Sequence, residues 1–100
     1  MKLKIVFPIT PGELIVIQER LLHRSLKDWE KELAAEAAEI INSDFEDGQS
    51  GAPMFDMEAF LAEHGRTFAN PACRRFWNAL SAWRKTAYHA GYIENKEVMI

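Results

Sequence analysis

Hydrophobic and polar positions alternate at the start of the chain, with Leu3, Ile5 and Phe7 on one face of an extended segment and Lys2 and Lys4 on the other. The pattern predicts a short strand over 2–7, ended by Pro8, which has no amide proton to give a ladder. Thr10-Pro11-Gly12-Glu13 then has the form of a helix start. Thr10 is placed to accept the Glu13 amide, Glu13 to reach back, and Pro11 sits where a missing N–H costs nothing. A competing reading makes Glu13 to Gln18 the second arm of a hairpin, because Leu14-Ile15-Val16-Ile17 is apolar and mostly β-branched. Both readings stay open at this point.

From Gln18 the period is helical. At 3.6 residues per turn, Ile15, Leu22, Leu26, Trp29, Leu33, Ala37 and Ile40 fall on one face, and alanines at 34, 35, 37 and 38 raise helix propensity. The pattern predicts one helix over 11–41. A loop over 42–53 follows, marked by Asp47-Gly48, Ser50-Gly51 and Pro53. A second, short helix is expected over 56–64, capped by Asp56 and stopped by Gly65, with Met57, Phe60 and Leu61 as its buried stripe. Asn70-Pro71 opens a third over 71–90, which Gly91 should end. Its core face would be Phe76, Leu80, Trp83 and Ala87. The tail, 92–100, suggests a small hairpin turning at Asn95-Lys96. Two strands alone are barely stable, so the N-terminal strand is the natural partner. The expected fold is mainly α: one domain over 1–100, three helices, and a small β element from the two terminal segments.

Composition is compatible with this. The chain has 100 residues, 48% of them hydrophobic, enough for one core and too many for a disordered segment. The longest apolar run is far short of the roughly 20 residues that span a bilayer, and Pro8, Pro11 and Glu13 interrupt any signal-peptide pattern. Cys73 is alone, so no internal disulfide is expected. These features point to a soluble cytoplasmic protein with no membrane partner.

Charge changes the picture most. Between Asp28 and Glu63 lie eleven carboxylates and one base, Lys31, whereas His64 to Tyr92 holds five bases and no acid. The formal net charge of −3 conceals this segregation, which bears on partners and association rates rather than on fold. Asp28, Glu32, Glu36 and Glu39 share one side of the first predicted helix, and Asp44, Glu46 and Asp47 extend the charge into the expected loop. Like charges at i,i+4 repel by a few tenths of a kcal/mol per pair. Two readings follow: a solvated face, or a docking face for a basic protein groove, as a phosphate mimic or by simple charge complementarity. Val16, Ile17, Trp77 and Tyr88 are the candidate apolar anchors beside those acids.

In the third predicted helix Arg74, Asn78, Ser81, Lys85 and His89 oppose the core face, with Trp77, Arg84 and Tyr88 on one flank. Arg and Asn on an exposed helix read base edges, and neighbouring cations hold phosphates. An alternative is therefore a small helix-turn-helix-like DNA-binding regulator using Arg74, Arg75, Asn78, Arg84 and Lys85. The acidic remainder of the domain disfavours direct DNA binding.

Chemistry-bearing motifs are missing. His23, His64 and His89 lack zinc-site spacing. An EF-hand alignment on Gly48 puts Phe45 third and Met54 twelfth, and fails. No Gly-rich phosphate loop is present, and Cys73 lies beside the core face, where a thiol is inert. We therefore expect no enzyme, catalytic residue, metal, cofactor or small-molecule substrate.

In size, in lack of enzymatic motifs and in its acidic segment, the chain resembles small phage-encoded inhibitors of bacterial defence of the anti-CRISPR and anti-restriction type. The residues carrying the likeness are Asp28, Glu32, Glu36, Glu39 and Asp44-Phe45-Glu46-Asp47. It implies a non-enzymatic protein that binds and blocks the basic surface of a nucleic-acid-handling complex. The basic third helix departs from a pure decoy.

Overall fold

Lys4–Val6 (β1) and Glu97–Met99 (β2) pair antiparallel, Ile5 facing Val98, and so close the two ends of the chain on each other. The structure, a computed structural model, describes residues 4–53, 71–95 and 97–99; the helix expected over 56–64 lies outside them. Between the strands come α1 (Pro11–Leu22), α2 (Asp28–Ser50), α3 (Pro71–Ser81) and α4 (Trp83–Tyr92). Only Ala82 separates α3 from α4, and it keeps right-handed helical angles. Ser81 donates its hydroxyl to the Trp77 carbonyl at 2.9 Å, an i−4 bond of the kind that perturbs a helix at this point. The fold is the expected one: mainly α, with a small sheet from the terminal segments. Three helical bodies, α1, α2 and the α3–α4 rod, surround one core among the described residues.

Glu13 to Gln18 is helix, not strand. Thr10 accepts the Glu13 amide at 3.1 Å and also donates its hydroxyl to the Glu13 carboxylate, while Pro11 opens the first turn. This cap decides against the hairpin that the β-branched run allows.

The single helix expected over 11–41 is instead two. His23 takes a left-handed conformation (φ 56°) and ends α1. Polar groups then fasten the elbow: Glu19 accepts the Leu26 amide at 2.9 Å, and Glu30 accepts the Lys27 amide at 2.8 Å. Arg24 grips Glu30 with two bonds of 2.7 Å. The buried face of α2 is consequently Ala34, Ala37, Ala38, Ile41 and Phe45, with Glu30 and Asp44 among them. Trp29, Leu33 and Ile40 only flank it, and Leu22 is exposed.

The loop expected over 42–53 is also helical, as far as Ser50. Tertiary packing overrides the turn signal of Asp47-Gly48. A Cβ on Gly48 would lie 2.1 Å from the Tyr88 carbonyl oxygen, and one on Gly91 2.1 Å from that of Phe45. The two glycines let α2 and α4 touch backbone to backbone, and this is the most extensive helix contact described. Gly91 is thus inside α4 and does not end it. Asn42, also expected in the loop, exchanges two bonds of 2.7 Å with the backbone of Ile9 and fixes the β1–α1 connection on α2. Phe7 stacks on Phe45 beside it, ring centroids 5.3 Å apart.

No tail hairpin forms among the described residues. Ile93, Glu94 and Asn95 instead donate back to the last carbonyls of α4, with Glu94 left-handed, and β2 proceeds directly to β1.

Candidate functional site

Extending α2 through Ser50 sorts the three acids assigned to a loop. At 3.6 residues per turn, Glu46 falls on the same side as Asp28, Glu32, Glu36 and Glu39, Asp47 on the flank, and Asp44 on the core side. The accessibilities agree. Asp28, Glu32, Glu36, Glu39 and Glu46 are exposed, Asp47 is half-buried, and Asp44 is buried at 1% exposure. The five exposed carboxylates occupy about 80° of arc, opposite the buried face, and run about 27 Å along the axis. They form a solvent-facing ridge on a helix whose other side is fixed in the core.

Asp44 is a correction to the sequence reading, and Arg84 is its counterpart. Arg84, expected among nucleic-acid contacts, is 3% exposed and binds Asp44 through Nε at 2.5 Å and Nη2 at 3.1 Å. Arginine suits this place because its planar fork meets a carboxylate bidentately without losing charge. One acid of the negative segment and one base of the positive segment thus neutralise each other inside the fold. Neither is available to a partner.

Two of the four anticipated anchors are also buried. Trp77 and Ile17 are core residues, at 2% and 7% exposure. The α3–α4 rod turns its Trp77–Arg84 flank onto α2, so that Trp83, expected at the centre of the core face, is half-buried and gives its indole N–H to Gln18. Tyr88 is half-buried and donates its hydroxyl to the Ala52 carbonyl at 2.6 Å, tethering the end of α2. Val16 remains as an exposed apolar side chain. Arg74, Arg75, Asn78 and Lys85 are exposed, without Arg84 beside them.

Glu30 escaped the sequence reading. It is buried, and the bonds from Arg24 hold its carboxyl below the usual carboxylate range, against the upward push of burial. A signal did exist: Ser25-Leu26-Lys27-Asp28 has capping-box spacing within the supposed continuous helix. The structure starts α2 two residues later, with Glu30 in the reciprocal role.

Among the described residues no cluster of His, Cys, Asp and Glu is arranged to hold a metal ion, and no helix is long and apolar enough to cross a membrane. No family model matches the chain, and no curated protein and no solved structure is significantly similar to it.

Proposed function

We propose that the chain is a non-enzymatic interaction protein that covers the basic, nucleic-acid-handling surface of a partner complex with the α2 ridge. The observation that carries this reading is the exposure of Asp28, Glu32, Glu36, Glu39 and Glu46 together, on one side of a helix anchored along its other side. Successive i,i+4 acids stand roughly 6 Å apart along the axis, close to the spacing of phosphates on a nucleic-acid strand. A rigid row of this kind meets cations without first ordering a loop, which lowers the entropic cost of association. Val16, which stands on α1 and is 48% exposed, is the remaining apolar anchor from the sequence reading. A bacterial defence complex, with the chain as an inhibitor of anti-CRISPR type, is the partner class that the acidic character favours.

The burial of Arg84 weakens the DNA-binding alternative, which keeps Arg74, Arg75, Asn78 and Lys85. The test is affinity capture from bacterial lysate with the wild-type chain and with Glu32→Lys/Glu39→Lys. A nucleic-acid-binding complex retained by the wild type, lost with the variant and displaced by added duplex is the expected result. Equal retention by both chains refutes the ridge as the binding element.

A further inference from the structure

Two grooves meet on the outer side of the α3–α4 rod and share Thr86. The first, about 290 Å³, has Ala79, Ala82 and Trp83 as its floor and Leu21 and Leu22 of α1 as its wall. The second, about 540 Å³, continues along α4 past His89 to Ile93, with β2 as its wall. Leu21, Leu22, Ile93 and Met99 are 48%, 43%, 51% and 57% exposed, so most of the large exposed apolar side chains described line one trough. In the first groove Ala79 and Ala82 leave room for a helix backbone to come close beside Trp83.

We propose that this trough receives the α3–α4 rod of a second copy of the chain, antiparallel, in a twofold dimer. Charge selects this occupant. Arg75 is exposed near the start of the rod and Glu94 is exposed just past its end. A dyad between Ala82 and Thr86 brings Arg75 of each copy beside Glu94 of the other, two equivalent ion pairs from one pair of residues. Glu94 sits unfavourably for its own rod, an anion at the negative end of the helix dipole. Antiparallel pairing gives it the opposite charge and also opposes the two dipoles. In the same arrangement Leu21 and Leu22 of one copy approach Ile93 and Met99 of the other, which withdraws apolar surface from water. None of the ridge carboxylates of α2 lines either groove, so the dimer goes beyond the partner reading and leaves both ridges open.

Sedimentation equilibrium of the full chain tests the dimer. The wild type is expected to sediment at twice the chain mass. Ala82→Glu, which places a carboxylate on the apolar floor, should weaken association by about 100-fold, and Ala79→Glu should act likewise. Both sites are exposed in the single chain, so helix content by circular dichroism should be unchanged. Arg75→Glu should weaken the dimer by about tenfold, and adding Glu94→Arg should restore it. The ridge variant Glu32→Lys/Glu39→Lys should remain dimeric, which separates this result from the fate of the partner reading. A wild type that is monomeric at ~100 µM, far above the Kd of a specific interface, overturns the proposal. So does a dimer indifferent to both alanine replacements, or a charge swap that fails to restore association.

Discussion

Asp44 and Arg84 are 40 residues apart in the chain and meet in the core through two hydrogen bonds. Neither residue type suggests burial when read alone, since an unpaired charge in a core is very costly. What makes the burial possible is the pairing, which no local pattern reveals. Removing one partner should therefore be worse than removing both. Asp44→Asn should destabilise the fold by about 3–5 kcal/mol in chemical denaturation, because it takes a bidentate carboxylate away from a buried guanidinium. The double replacement Asp44→Leu/Arg84→Met should recover most of that loss. Gly48 and Gly91 behave as a second residue-scale pair. Alanine gains about 1 kcal/mol of helix propensity over glycine. Here its methyl group would meet a carbonyl oxygen at 2.1 Å, so α2 and α4 must separate. Gly48→Ala and Gly91→Ala should each lower stability by about 1–3 kcal/mol, read as a fall in denaturation midpoint.

At the scale of elements, the start of α1, the β1 strand and the apolar character of α3 and α4 were legible, because each depends on neighbours within a few residues. Thr10, Pro11 and Glu13 alone decide the α1 cap. The boundaries that escaped are set by side-chain bonds or packing that no turn residue announces. The α1–α2 elbow contains no glycine or proline between Leu22 and Asp28 and is held by Glu19, Arg24 and Glu30. The end of α2 passes straight through Asp47-Gly48 because α4 packs there. The elbow carries a pH signature. The fold lowers the Glu30 pKa, so the stability it contributes is present above the ordinary carboxylate value near pH ~4.3 and is lost as pH falls through the folded value. Glu30→Gln should cost about 1–2 kcal/mol at neutral pH and flatten the acid limb of a stability–pH curve measured by urea unfolding.

For the whole molecule, the segregated charge was legible and its disposition was not. Periodicity placed Asp28, Glu32, Glu36 and Glu39 on one side, and the structure adds Glu46 and withdraws Asp44. The difference arises because a loop sets no fixed direction for its side chains, whereas a continued helix sets one every 100°. The result is a molecule that neutralises part of its charge internally and keeps a negative ridge outside. Such a ridge should act chiefly on encounter, and in a salt-dependent way. The most direct test of the proposed role is the association rate between the chain and a complex retained in the capture experiment, measured at low and at high salt with the wild type and with Glu32→Lys/Glu39→Lys. The account predicts that charge reversal slows association by about tenfold or more at low salt, and that the gap narrows as salt rises. Equal association rates at low salt, for a variant with unchanged helix content, would contradict it.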